Sequence, residues 1–274
     1  MLQSQRIVFM KLPYDSRNSV NKMKKIAICF SGHLRNFISV ELSEFTEHVR
    51  NLTDSGYEVD CFFSIWDTYN TQMARRGNPG NCDNIDLNHI QESFKILNVK
   101  ALEVESYEDV KHNFYLKNFH PTIEPELPGI MNLDGVLHST PMFYKIYKCN
   151  LLKKNYELEH NIQYDVVVRY RANIKLINLL TMTQIENNTI YNQGPNSTPY
   201  TRGLGYTHES LMTHDMFFYG ISATMDIICD VYPNLSRIIS NHGSTGPERI
   251  FYDWCFLENK LKHQTSINQI DYRQ

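Results

Sequence analysis

The sequence predicts an α/β fold, built as a single domain with a mainly parallel sheet flanked by helices. Three runs are almost continuously apolar, which is typical of strands buried on both faces: Lys25–Phe30, Glu58–Trp66 and Asp165–Arg171. Segments with helical spacing separate these runs, and strands that alternate with helices indicate parallel pairing. The 274 residues suit one substantial core and are few for two.

The first half of the chain supplies two helices and one long loop. A helix is predicted over Val40–Asp54, where apolar residues recur at helical spacing and Gly56 follows as a stop. Asp86–Leu97 is a second predicted helix, and Lys100–Glu105 a short strand. Asp67–Asn84 is rich in Gly, Asn and Arg and is predicted to be a surface loop.

The second half continues the alternation after an irregular crossing at Pro121–Gly135. Thr140–Glu157 is predicted to be a helix with Pro141 in its first turn, where a missing N–H costs little. The remaining predicted elements are the strands Thr189–Asn192 and Asp215–Gly220 and the helices Ser222–Tyr232 and Pro247–Lys260.

Residues 1–22 are predicted to lie outside the core as an N-terminal extension, leaving 23–274 as the domain. They are polar apart from Ile7–Met10, and Met23 followed by two lysines and an apolar strand resembles a natural start. Two interpretations stay open for this segment: a tag-like extension or an extra edge strand.

Charge and cysteine content exclude several classes of protein. The formal net charge of −3 provides no basic field for nucleic acid or an anionic membrane. The six cysteines form no CxxC pair, and Cys29 and Cys61 lie in apolar runs, which predicts a reduced, cytoplasmic protein without a zinc site. No run is long enough for a transmembrane segment, and the N-terminus lacks a signal-peptide core.

Ligands of such sheets bind at the carboxyl ends of the parallel strands. That rule brings together three loops: Ser31–Asn36, Trp66–Asn70 and the residues after Arg171. In the first loop Gly32 permits close backbone approach, and His33 and Arg35 are donors, as a pyrophosphate requires. An ordinary strand-to-helix turn is the alternative.

The second loop begins with Trp66 and Asp67. An aromatic face and a carboxylate suit a base or sugar hydroxyls. Equally, Trp66 would cover the core and Asp67 would cap the next turn.

The third strand end carries the polar residues Arg169, Arg171 and Asn173, which alternate along the strand and so share one face, opposite Val168 and Tyr170. Two arginines beside a buried apolar run require an anionic partner. A diphosphate is one such partner, and a structural Asp or Glu is another.

Two acids further along the chain are candidates for proton transfer. Asp215 is the first residue of a predicted strand, and Glu248 follows Gly246-Pro247 at a helix start. Each carboxylate could cap local structure or take a proton from an acceptor.

Six segments in this order resemble small bacterial and viral glycosyltransferase-like proteins: IAICFSGHLRNF, DCFFSIWD, STPMFYKIYKCNLLK, YDVVVRYRANIKL, HDMFFYGISATMDI and GPERIFYDWCFL. Those proteins are similar to GT-A enzymes of capsule, lipopolysaccharide or surface-glycan assembly. The resemblance runs from about Lys24 to Lys260 and implies a GT-A-like, Rossmann-like domain.

The resemblance also implies roles for matching residues. The nucleotide and its phosphates would lie against Ser31, Gly32, His33 and Arg35. Trp66 with Asp67 matches a Trp-Asp or Trp-Asn pair of the family. Tyr144 and Lys148, spaced to share a helix face, would lie near the donor. Lys148 would neutralise the leaving diphosphate.

The family usually has Arg-x-Arg-x-Asp at the third strand, with the acid binding a metal. Here the last position is Asn173, a poorer ligand for Mg²⁺ or Mn²⁺. Either Asp215 holds the metal, or arginine and lysine neutralise the diphosphate without one. A catalytically degenerate binding module for glycans or nucleotides is the third possibility.

The implied reaction moves a sugar from a nucleotide-sugar donor to a hydroxyl of a glycan or other acceptor. Glu248 would be the base of an inverting reaction, with Asp215 second. A Rossmann-like methyltransferase is the rival enzyme, but a single glycine after the first strand is not its glycine-rich fingerprint.

Overall fold

A computed structural model describes residues 6–9, 23–69, 83–119, 139–172, 174–176, 181–182, 185–192, 216–243, 246–266 and 270–272. The crossing predicted over Pro121–Gly135 and most of the loop Asp67–Asn84 lie outside these residues. The site candidates Asn173 and Asp215 also lie outside them.

Ten strands form two sheets within the described residues. They are β1 (Arg6–Phe9), β2 (Lys24–Gly32), β3 (Tyr57–Trp66), β4 (Val99–Glu105), β5 (Val166–Tyr170), β6 (Ile174–Leu176), β7 (Thr189–Asn192), β8 (Phe217–Gly220), β9 (Lys262–Thr265) and β10 (Ile270–Tyr272). The main sheet has eight strands in the order β1-β4-β3-β2-β5-β8-β7-β9, and β6 pairs with β10 in a small sheet.

The centre of the main sheet is parallel. Strands β4, β3, β2 and β5 pair in parallel, as do β7 and β9, whereas β8 runs antiparallel to both of its neighbours. This arrangement confirms the prediction of a mainly parallel α/β sheet in one domain.

Seven α-helices cover the sheet in the described part of the chain. They are α1 (Leu42–Asp54), α2 (Leu87–Ser93), α3 (Tyr107–Val110), α4 (Thr140–His160), α5 (Ser222–Cys229), α6 (Val231–His242) and α7 (Pro247–Tyr252). Across the described residues, every helix is too short or too polar to span a bilayer.

Alternation along the central strands creates a core layer on each face. Ile28 and Phe30 of β2 pack with the layer that includes α1 and α2, and the Phe30 ring stacks on Phe63 with centroids 4.5 Å apart. Ala27 and Cys29 belong to the opposite layer, which includes α4 to α7. Burial on both faces explains why these strands are continuously apolar.

Several element boundaries differ from the predicted ones. The helix predicted over Ser222–Tyr232 is wrong, because it breaks at Asp230 into α5 and α6. Pro233 stands in the first turn of α6, where its missing N–H has no helical acceptor to lose. A π-helical turn over Phe37–Glu41 precedes α1, and another, Asp253–Glu258, follows α7.

Arg6–Phe9 form an edge strand of the main sheet, one of the two interpretations left open for the N-terminal segment. They pair antiparallel with β4, from Arg6 opposite Val104 to Phe9 opposite Ala101. A strand in this position covers the backbone edge of β4.

The register places the carboxyl ends of three parallel strands together. Gly32 of β2 lies opposite Ile65 of β3, and Phe30 lies opposite Tyr170 of β5. Side chains just after these positions therefore meet at one edge of the sheet, where the sequence predicts the ligand.

Candidate functional site

Hydrogen bonds join the loops that leave β2 and β3. The ring Nδ1 of His33 donates to the backbone oxygen of Thr68 at 3.0 Å, since a carbonyl only accepts. The backbone nitrogen of Arg35 donates to the oxygen of Tyr69 at 2.8 Å, and Arg35 adopts a left-handed φ of 51°. These contacts hold His33 and Arg35 at the sheet edge.

The electrostatic surroundings of His33 are cationic. Burial is the largest cause that lowers the pKa of His33 from 6.5 to about 4, and the charges of Arg35, Lys145 and Arg171 lower it further. The hydrogen bond to Thr68 opposes the shift. His33 is therefore neutral near pH 7, among three positively charged side chains; we call His33, Arg35, Lys145 and Arg171 the strand-end group.

Ser31 and Gly32 lie at the end of β2 rather than in the loop where the sequence placed them. Gly32 has a φ of 103°, and no described atom lies within 4 Å of the position that a Cβ would take. The space directly beside this backbone is therefore open among the described residues. The Ser31 side chain is buried, and its backbone oxygen accepts from Nη2 of Arg169 at 3.4 Å.

The two arginines of the third strand occupy different environments. Arg169 is 2% exposed and lies on the helix α4 to α7 side, because its neighbours Val168 and Tyr170 pack in the opposite layer. Arg171 follows the end of β5, is partly exposed, and donates its backbone N–H to the oxygen of Met216 at 3.0 Å. Arg171 joins the strand-end group, whereas Arg169 contacts the backbone of β2.

Trp66 lies in a buried aromatic cluster with Tyr107, Phe114, Tyr144 and Tyr232. Its ring is 2% exposed, stacks near Tyr144 with centroids 6.0 Å apart, and meets Tyr107 edge-on at 5.4 Å. This is the placement of the core-covering alternative, because a ring that is 2% exposed has no free face to stack on a base.

Lys145 of α4 contacts this cluster through its ammonium group. Its ammonium lies 4.2 Å from the centre of the Trp66 ring and 3.0 Å from Oε2 of Glu105, the last residue of β4. The Tyr144 hydroxyl donates to Oε1 of the same carboxylate at 2.9 Å. Lys145 is not among the residues predicted from the sequence, because only the packing of α4 on β4 brings it to Glu105.

Lys148 and Tyr144 share a helix face as predicted, with the ammonium 5.9 Å from the ring centre. Lys148 pairs at 2.9 Å with Glu103, a buried carboxylate that also accepts from the Ser64 hydroxyl at 2.8 Å. The charge of Lys148 is thus balanced within the fold.

Asp67 links the second loop to its neighbours through its backbone. Its N–H donates to the oxygen of Glu105 at 3.0 Å, and its oxygen accepts from the N–H of Ile85 at 2.8 Å. The side chain is partly exposed.

Glu248 is exposed in the first turn of α7, directly after Pro247.

In the described part of the chain, no group of three or more His, Cys, Asp or Glu side chains could hold a metal ion. The candidate metal ligand Asp215 is outside that part, so the roles given to Asp215 and Asn173 stay predictions.

The fold is that of an α/β protein with a mainly parallel sheet, and His33, Arg35 and Arg171 follow the carboxyl ends of its central strands. No family model and no curated protein matches the chain. Among solved structures, it is similar to the galactosyltransferase LgtC in complex with donor and acceptor sugar analogues, with 9% identity and a TM-score of 0.45 over 87% of this chain and 72% of that one. Such a likeness assigns no activity and no residue role here.

Proposed function

We propose that the protein is a glycosyltransferase that moves a sugar from a nucleotide-sugar donor to a hydroxyl of a glycan or other acceptor. The observation that carries the proposal is the cationic strand-end group around the neutral His33. Its place at the carboxyl ends of parallel strands is where α/β folds bind ligands.

A diphosphate is the anion that this group suits best. Guanidinium groups bind phosphate oxygens through paired N–H donors, and Arg35 and Arg171 supply two such groups from different strands. Lys145 adds a positive charge nearby and pairs with Glu105 at 3.0 Å. The open space beside Gly32 would let a phosphate approach the backbone.

In the proposed reaction the acceptor oxygen attacks the anomeric carbon while the bond from that carbon to the diphosphate oxygen breaks. Positive charge from Arg35 and Arg171 would stabilise the negative charge that develops on the departing nucleoside diphosphate. Glu248 is the proposed base that takes the acceptor hydroxyl proton if the reaction inverts configuration.

If the reaction uses a divalent ion, Mn²⁺ or Mg²⁺, its ligands would come from residues outside the described ones. The buried acids Glu103 and Glu105 already pair with Lys148 and Lys145, which leaves them poorly suited as ligands. Asp215 is the proposed metal ligand, and a reaction without metal is the alternative.

A ligand screen tests this function. Thermal unfolding would be followed with UDP, GDP, CMP and S-adenosylhomocysteine, each with Mn²⁺ and with EDTA. We expect a nucleotide of the first three to raise the melting temperature. The same nucleotide (UDP, GDP or CMP) should be released from the matching nucleotide sugar when acceptor is added.

Each outcome of the screen decides between alternatives. Stabilisation by S-adenosylhomocysteine alone would support a methyltransferase and overturn the proposal. Nucleotide binding without turnover across acceptors would favour the non-catalytic binding module. Stabilisation that survives EDTA would favour a metal-independent site.

A further inference from the structure

The hydrogen bond between His33 and Thr68 determines where the imidazole carries its proton. The Thr68 carbonyl oxygen can only accept, so the Nδ1 atom 3.0 Å away must be the N–H donor. In the neutral ring the other nitrogen, Nε2, then has no hydrogen and is an acceptor. Within the described residues, both hydrogen-bond contacts of the ring are made by Nδ1 and none by Nε2.

An acceptor at this position excludes one partner and selects another. A phosphate oxygen bears negative charge and lone pairs, so it would repel Nε2 rather than bind it. The sequence predicts His33 as a donor to phosphate, and this geometry reverses that role. The group that satisfies Nε2 must bring its own hydrogen.

We propose that Nε2 of His33 accepts a hydrogen bond from a hydroxyl of the bound nucleotide sugar and thereby selects ligands that carry that hydroxyl. This inference rests on the proposed function. Arg35 and Arg171 take the phosphates, and His33, between the two loops, contacts the neighbouring ribose or the transferred sugar. A site built around such an acceptor discriminates against ligands that lack the hydroxyl, because the acceptor is then left without a donor.

Binding measurements with matched ligands test the inference and separate its two sources. UDP would be compared with 2′-deoxy-UDP and 3′-deoxy-UDP, and GDP with its 2′-deoxy and 3′-deoxy forms. UDP-glucose would be compared with UDP-2-deoxyglucose. We expect one deoxy compound to bind about 3- to 10-fold more weakly, the loss for one hydrogen bond. A loss within the ribose series identifies ribose, and a loss confined to the sugar pair identifies the sugar.

Variants of His33 complete the test. His33→Phe should lose affinity for the hydroxyl ligand by the same factor, and should bind the deoxy ligand as the wild type does. His33→Gln, which can place an oxygen acceptor near Nε2, should retain most of the discrimination. His89→Gln, at an exposed position of α2, is the control and should change nothing.

The possible failures are distinct. If no nucleotide binds the wild type, the proposed function itself fails. If nucleotides bind but every deoxy compound binds as tightly as its parent, the role of His33 is overturned. Nitrogen-15 NMR of the wild-type imidazole gives a readout independent of variant folding: a protonated Nε2 in the nucleotide complex would also overturn it.

Discussion

The ammonium of Lys145 lies 3.0 Å from the carboxylate of Glu105, and the two side chains are only 0% and 5% exposed. The pair joins α4 to the end of β4 beneath the ring of Trp66, whose centre is 4.2 Å from the ammonium. Burial lowers the pKa of Lys145, and the neighbouring Glu105 charge counteracts that effect. The pair therefore fixes α4 to the sheet edge where His33, Arg35 and Arg171 lie.

Breaking this pair from one side should strongly destabilise the protein. Lys145→Met or Glu105→Gln should each lower the free energy of unfolding by about 3–5 kcal/mol, because the remaining polar group is left buried without its partner. The double variant should lose less than the sum. Urea unfolding followed by tryptophan fluorescence measures all three.

The control for this double-mutant cycle is the exposed pair of Glu92, in α2, and Lys95, just after it. Lys95→Met should change the free energy of unfolding by about 1 kcal/mol or less, since water screens the charges. Additive losses in the buried cycle would contradict the coupling of Lys145 with Glu105.

His33 should remain neutral until the solution is distinctly acidic. Its pKa of about 4 in the folded protein lies below the ordinary 6.5, so the unfolded chain binds more protons between these values. Stability should therefore fall as the pH drops from 6.5 towards 4, with this group contributing up to about 1.4 kcal/mol per pH unit. NMR titration gives the pKa, and urea unfolding at each pH gives the stability.

The difference between wild type and His33→Gln isolates this contribution from the other histidines. The pH dependence of unfolding should flatten between 4 and 6.5 in the variant, and should not change in His89→Gln. Titration of His33 near 6.5 would contradict the prediction, because it would mean that burial and the neighbouring positive charges do not lower its pKa.

The two arginines of the strand-end group should control nucleotide affinity. Arg35→Gln and Arg171→Gln should each weaken binding of a nucleoside diphosphate by about 10- to 100-fold, as expected for a charge-assisted hydrogen bond. Calorimetry at several salt concentrations should also show a weaker salt dependence in both variants. Arg50→Gln, at an exposed position of α1, should bind like the wild type.

Gly32 should be sensitive in two separable ways. Gly32→Ala places a side chain at a φ of 103°, which should cost about 1–3 kcal/mol of stability, and adds a methyl group to the open space beside β2. Gly56→Ala is matched to it, with a φ of 87° and open space after α1. Both variants should lose stability in urea, but only Gly32→Ala should also lose nucleotide affinity.

Glu248 should affect turnover and not binding. Glu248→Gln should lower kcat by about 100- to 10,000-fold, the contribution of a general base, while calorimetric affinity for the nucleotide stays the same. Glu159→Gln, another exposed acid, should leave both quantities unchanged. Unaltered turnover in Glu248→Gln would remove this residue as the base.

Patterns local in the chain predicted most of the fold. The apolar runs located every end of β2, β3 and β5 to within two residues, because strands buried on both faces need apolar side chains throughout. The break between α5 and α6 at Asp230 was missed, since apolar residues stand directly on both sides of it, Cys229 before and Val231 after. Strand β9 also escaped prediction, because its short and polar sequence KHQT lacks a strand pattern.

The candidate site was predicted less completely. His33, Arg35 and Arg171 follow strand ends and so could be assigned to one edge from topology alone. Lys145 could not, because its partner Glu105 is 40 residues away and the pair forms only when α4 packs on β4. Whether a lysine such as Lys148 meets a ligand or a buried acid such as Glu103 is likewise absent from local spacing.

The sequence by itself determined that the chain forms a mainly parallel α/β sheet and that cationic residues follow its central strands. These properties depend on the periodicity of side chains along short segments. Only the tertiary structure decided that Trp66 is enclosed, that Arg169 is buried against β2, and that Nδ1 of His33 contacts the Thr68 carbonyl. Exposure and proton position depend on contacts between distant segments, which exist only after the sheet and helices have packed.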